Sequence, residues 1–306
     1  MLAAMGLLID SFWRAALYLW RPRVIALSML PLVLTIGLAL GLGWFWWDPA
    51  VAWVRGLLDS TDWAAPLWNW LDGMGLARLK AALAPLIVIF TVTPLLALVS
   101  LLIVALMMTP AMVELVAQRR FPQLERRHGG SLLVSVLWAL GSTRAALLAL
   151  LISSPLWLVP PLILILPPLI WGWLTYRVMA FDALAVHASR EERQALFREH
   201  RGKLLVMGVI CGYLGAAPSL VWASGALFAA AFLILVPVAL WLYTLVFAFS
   251  SLWFSHYALS ALAQLRQAEA SAAAAQNAGQ ADALALAHEH QADRPLDSPP
   301  ATPAER

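Results

Sequence analysis

Arg144 is the only formal charge between Arg127 and Arg177, and Ser142 and Thr143 precede it. A guanidinium beside two hydroxyls can hold a small anion by charge and by directed hydrogen bonds. An ionisable group at membrane depth is costly and is a functional candidate by default; the competing reading is that Arg144 snorkels to the interface or marks a helix end. Arg21 and Arg23 stand next to a long uncharged run, where a guanidinium near a helix start suits an oxyanion. His256, beside Tyr257, reads either as a pH-sensitive gate or as a hydrogen-bonded interfacial histidine. Asp182, five residues after Arg177, reads as half of a surface ion pair. Thr91 and Thr93 before Pro94, which breaks the middle of the second apolar run, and Ser153 and Ser154 before Pro155, either return hydrogen bonds to carbonyls that proline frees or line a polar path.

No other arrangement suggests a reaction. The sequence has no Gly-rich phosphate loop, HExxH, GxSxG or cysteine cluster. The single Cys211 forms no internal disulfide and no usual metal site. His288 and His290 lie in a polar tail and read as solvated. The expectation is a protein that is not an enzyme, with no catalytic residues, no cofactor and no metal.

The elements that position these residues are hydrophobic. The chain is 62% hydrophobic and 12% charged, with mean hydropathy +0.79, against roughly 25% charged residues in a soluble domain. Val24–Trp47, Ala81–Val113, Ala145–Tyr176 and Leu204–Leu265 carry no Asp, Glu, Lys or Arg, and a bilayer span needs about 20 such residues. The first run ends in Trp44, Trp46 and Trp47 rather than a small-residue cleavage site, so it is expected to stay as an anchor. The net charge of +3 is spread in short clusters beside the runs, a topology signal and no nucleic-acid footprint.

Arg14, Arg21 and Arg23 precede the first run, and Arg119, Arg120, Arg126 and Arg127 follow the second. The positive-inside rule places both on the cytoplasmic side. The tryptophan-rich Asp48–Lys80 then forms short interfacial helices outside. Gly37 and Gly41 offer a GxxxG approach for another helix. Pro155, Pro160, Pro161, Pro167 and Pro168 force turns in 131–176, and arginine-rich loops flank that segment, so it reads as a hairpin, re-entrant or fully crossing. Ser189 with Glu192 matches a capping box that starts a helix at about Arg190. Leu204–Leu265 holds two more apolar helices, divided near Ala223–Gly225 or at Pro237.

The expected fold is an all-α integral membrane protein, N-in and C-in. Two long transmembrane helices, Val24–Trp47 and Ala81–Met108, are joined by two hydrophobic helical hairpins. Residues 1–265 form the helical membrane domain, and residues 266–306 a disordered cytoplasmic tail after a frayed helical start, because alanine, glutamine and proline bury too little surface to offset ordering entropy.

The layout resembles the CysZ-like family of the etoposide-induced protein 2.4 class. The resemblance rests on Trp20-Arg21-Pro22, Leu30-Pro31-Leu32, the uncharged second span, Thr175-Tyr176-Arg177 with Phe181-Asp182, Glu191-Glu192-Arg193, and Arg198 with Arg201-Gly202. It covers about residues 5–265. It implies a bacterial inner-membrane protein with two long spans and two partly penetrating hairpins, assembled as a homo-oligomer among membrane lipids. Its best-known members resemble a sulfate permease or channel feeding cysteine synthesis. In those members a Gly-Leu-Arg element with a further arginine binds the anion; here Ile25 and Ala26 fall on the arginine positions, and Thr35 falls where an asparagine is expected. Arg21 and Arg23, with Arg144, are therefore the anion-binding candidates. The alternative expectation is a non-transporting membrane scaffold or assembly factor of the same family, whose arginine loops contact a partner or anionic lipid.

Overall fold

A computed structural model describes residues 2–60, 77–127, 130–216 and 225–292, with positions 66, 70, 73 and 74 between the first two segments. The chain divides into two compact units, Met1–Ser260 and Ala261–Arg306. Among the described residues all regular structure is helical: α1 (Leu2–Leu19), α2 (Pro22–Asp59), α3 (Ala77–Arg120), α4 (Leu132–Ser153), a 3-10 turn (Ser154–Leu158), α5 (Pro160–Leu184), α6 (Arg190–Glu199), α7 (Arg201–Ala216) and α8 (Gly225–Ala292).

Among the described residues four helical segments are long and apolar enough to cross a membrane: Pro22–Asp59, Ala82–Arg120, Leu133–Leu158 and Ile234–Ala281. Their outward faces explain the composition. Trp44 is 86% and Phe45 75% exposed, an arrangement that water penalises and hydrocarbon accepts. The chain is a multi-pass membrane protein.

The backbone at Arg21 is extended, with φ −73° and ψ 138°, and Pro22 opens α2. Proline disfavours helical geometry in the residue before it and suits the first helical position, so α1 and α2 are separate rods. α2 then runs 38 residues, roughly 57 Å at 1.5 Å per residue, about twice the hydrocarbon thickness. The stretch from Asp48 to Asp59, expected as a separate interfacial piece, therefore continues the first span, and most of residues 61–76 lie outside the described set. Val51 and Val54 of α2 pack on Ala84 and Val88 of α3 at this end. Pro94 also departs from expectation: it lies inside an unbroken α3, with Pro85 and Pro110.

The prolines of the first hairpin divide into two groups. Pro155 and Pro160 sit at the turn between α4 and α5. Proline at 155 frees the carbonyl four residues earlier, and the Ser154 hydroxyl donates to that Leu151 carbonyl at 2.8 Å. Pro167 and Pro168, expected to force a turn, lie inside α5 instead. A helix at membrane depth keeps such prolines when neighbours and local adjustment re-satisfy the freed groups.

A backbone-to-backbone helix approach lies where the sequence pattern did not point. Gly37 and Gly41 face open space, where a Cβ would meet nothing within 4 Å, whereas a Cβ on Gly208 would land on the Gly172 carbonyl. Likewise a Cβ on Gly172 would come within 2.8 Å of the Val209 backbone. α5 and α7 thus touch backbone to backbone, which only glycine permits. Gly208→Ala is expected to cost about 1–3 kcal/mol through overpacking, read as a lowered thermal midpoint in detergent; an unchanged midpoint would show that the two helices can part freely.

The capping box at α6 is present as expected: Ser189 Oγ accepts from the Glu192 N–H, and the Glu192 carboxylate accepts from the Ser189 N–H. Ser189→Ala is expected to cost about 1 kcal/mol, visible as faster amide exchange in the first turn of α6 with little change elsewhere. The last apolar run divides before Gly225, where α8 starts, while Pro237 lies within α8.

In the second unit, the helix continues through the alanine-rich stretch to Ala292. The sequence reading leaves these residues unstructured beyond a frayed start. Alanine has the highest intrinsic helix propensity, so this composition supports a helix without a buried face. Residues 293–306 lie outside the described set.

Candidate functional site

Charged side chains meet where the end of α3, α1 and the start of α2 approach α8. Trp253 of α8 donates its indole N–H to the Leu8 carbonyl at 3.3 Å, and Trp241 donates to Ser28 Oγ at 3.2 Å. Phe12 packs edge-on against Trp253 and Phe249. These contacts fix α1 and α2 on α8, leaving the polar face of α1 toward Arg120.

Asp10 is the hub. Arg14, one turn later, donates to its carboxylate at 2.8 Å, and Arg120 Nη2 donates to Oδ2, also at 2.8 Å. The Arg14 hydrogen bond holds the Asp10 carboxyl below its usual range against the opposing effect of burial, and Arg120 adds to the lowering. Arg120 Nη1 also lies 3.4 Å from Nδ1 of His256. The Tyr18 ring meets His256 edge-on at 4.7 Å, and Arg21 sits over that ring at 4.2 Å. Three guanidiniums, Arg14, Arg21 and Arg120, therefore act on His256 against one carboxylate, Asp10.

His256 is fully buried. A guanidinium has no acceptor, so in the contact with Arg120 the Nδ1 atom accepts and the ring proton resides on Nε2. That Nε2 is buried without a hydrogen-bond partner. An unsatisfied buried donor costs about 1–3 kcal/mol, and the charge around this one is net positive.

A second polar region is a cavity of about 490 Å³ between α3, α4 and α5. Its polar lining includes Asp182, Ser135, His187 and the Glu114–Arg126 ion pair. Among the described residues Asp182 does not form the expected surface ion pair. The Ser135 hydroxyl donates to it, and burial pushes its carboxyl up to about 6. Arg177 instead lies over Trp138 and Trp173, at 4.2 and 4.9 Å.

Of the three expected anion ligands, the structure brings only Arg21 to the cluster. Arg23 is exposed at the start of α2, and Arg144 is exposed within α4. Asp10, Arg14 and Arg120 were not singled out from the sequence. The available signal was Asp10 and Arg14 at helical spacing in an otherwise apolar, aromatic stretch, where a lone acid needs a partner. Arg126 and Arg127, which the sequence uses for topology, also carry structure: Arg126 pairs with Glu114 and Arg127 with Glu192 at 2.9 Å.

Among the described residues, four helices long and apolar enough to cross a bilayer define a multi-pass helical membrane protein. A family model described as sulfate transporter CysZ/etoposide-induced protein 2.4 matches residues 11–224, and the chain belongs to this family. The match takes in Arg14, Arg21, Arg120 and Asp182 but stops before α8. A search of curated proteins and a search of solved structures each return no match.

Proposed function

We propose that the protein passes sulfate or another small inorganic anion across a bacterial inner membrane. The observation that carries the reading is the cluster of Arg14, Arg21 and Arg120 around a buried histidine whose Nε2–H lacks a partner. Tetrahedral oxyanions match guanidinium donors in charge and geometry. Arg21 and Arg120 reach the anion directly, while Arg23, exposed beside them, raises its local concentration. The arginines at both ends of the α2–α3 pair support a cytoplasmic position for this cluster, with both termini inside.

Arg144 supports a homo-oligomer. It is exposed midway along a span that has no other charge, and lipid-facing charge at that depth is costly. A second copy covering α4 relieves the cost and places the guanidinium beside a shared interior.

The test is uptake of radiolabelled sulfate, sulfite and thiosulfate into proteoliposomes, with Arg21→Ala and Arg23→Ala beside wild type. Wild type is expected to exceed empty vesicles for at least one anion and Arg21→Ala to fall below it, with a smaller loss for Arg23→Ala. Uptake equal to empty vesicles for all three anions sinks the reading and favours a non-transporting scaffold, which then predicts one dominant partner in crosslinked native membrane.

A further inference from the structure

Arg177 and Arg198 flank a cavity of about 310 Å³ between α4, α5 and α6, walled by Trp138, Tyr176 and Phe197 and closed by Gln194. The cavity contains no carboxylate. Arg177 is held rigidly: its guanidinium lies 4.2 Å from the centre of Trp138, whose indole N–H donates to the Arg177 carbonyl at 3.0 Å. Arg177 Nε is buried without a hydrogen-bond partner. Among the described residues neither arginine has a carboxylate within ion-pair distance. Arg198 makes only a long 3.4 Å bond to the Gln194 carbonyl.

A partly buried cation with no counter-ion, a free Nε–H and a second guanidinium across a cavity require an anion. Its source follows from the surroundings. Trp138 lies in the second turn of α4, whose apolar span begins at Leu133, so the cavity opens at headgroup level. On α4, Val134, Leu148 and Ile152 are 44%, 51% and 75% exposed and share the side of Trp138 with the exposed Gly141 and Ala145; their spacing forms one stripe that runs from the cavity toward the bilayer interior. A free inorganic ion has no use for such a stripe, whereas acyl chains do. We propose that this cavity seats the phosphodiester headgroup of an anionic phospholipid, with Arg177 and Arg198 on the phosphate and the acyl chains along α4. Basic pockets at the ends of membrane helices take phosphate headgroups by the same chemistry. The site is separate from the Asp10–Arg120 cluster and does not rest on anion passage.

The test is native mass spectrometry of the full-length protein, delipidated in detergent and offered equal amounts of phosphatidylglycerol and phosphatidylcholine. Wild type is expected to retain phosphatidylglycerol over phosphatidylcholine by roughly tenfold, the size expected when two arginines engage one phosphate. Arg198→Gln and Arg177→Gln each reduce that ratio severalfold, and the double variant brings it close to one. Arg119→Gln, which removes an exposed charge outside the cavity, leaves it unchanged. Arg198 is exposed on α6, so its variant keeps the fold, checked by circular dichroism and gel filtration, even where Arg177→Gln does not. Equal retention of the two lipids by wild type overturns the proposal, as does an Arg198→Gln ratio matching wild type. Loss of the preference on adding millimolar inorganic phosphate also overturns it, by assigning the cavity to a free oxyanion. Failure of sulfate uptake has no bearing on any of these outcomes.

Discussion

Arg120→Gln is expected to lower sulfate uptake into proteoliposomes by roughly tenfold to a hundredfold, the change that loss of one charge-assisted hydrogen bond of about 1.5–3 kcal/mol produces. Arg120 bridges the two halves of the cluster, with one nitrogen on Asp10 at 2.8 Å and the other 3.4 Å from His256. Glutamine loses the charge and the fork geometry together. Arg120→Lys keeps the charge but not the second nitrogen of the fork, so it is expected to fall between wild type and Arg120→Gln. Asp10→Asn is expected to move the other way: without their carboxylate, Arg14 and Arg120 turn toward the anion, and apparent affinity for sulfate rises. Equal loss of uptake in all three variants would show that the cluster only holds α1 in place.

Wild-type stability is expected to fall by about 3 kcal/mol as pH rises from 4 to 7, and Asp182→Asn to remove most of that slope. The folded-state carboxyl stands near 6 because burial disfavours its anion, a shift that the Ser135 hydrogen bond only partly offsets. A carboxyl raised in this way favours the folded chain while it is protonated in both states, below its ordinary value of 3.8. The advantage is lost as pH rises through the window from about 4 to about 6, and above it the full cost of the buried charge remains. At pH 7, Asp182→Asn is therefore expected to be the more stable protein, since asparagine keeps a partner for Ser135 without the charge. His187 and the Glu114–Arg126 pair line the same cavity, so the comparison that isolates Asp182 is the difference between variant and wild type across a series of pH values. Parallel curves would place its titration elsewhere.

The features legible in the sequence are those set by neighbours a few residues away. The capping box at Ser189 and Glu192 fixed the start of α6 to the residue, because both partners lie within one turn. The long charge-free runs gave the spans for the same reason. Features that depend on which helix lies opposite were not legible. Gly37 and Gly41 have the spacing for helix contact and face open space, while Gly172 and Gly208, far apart in sequence, make the contact. Arg120 read as a topology marker because composition alone cannot show that Asp10, 110 residues earlier, turns back on it. Arg144 read either as an anion ligand or as a snorkelling arginine because it is isolated, and isolation does not reveal which side of a helix a residue occupies. Pro167 and Pro168 read as breaks because proline's local effect is disruptive, and only the surrounding helix shows that it is absorbed.

The contact between Gly172 and Gly208 also constrains how this protein can move. Two helices whose backbones touch have no compressible side chains between them, so they cannot slide without collision and travel as one piece. Any opening and closing of a path must then be absorbed elsewhere. Joints away from this contact include the extended Arg21 between α1 and α2, and the prolines at 31, 49, 85, 94 and 110 in the two long rods. The guanidinium of Arg21 rides on the first of these joints, so a swing of α1 would change the grip on the anion in the same motion that changes access to it.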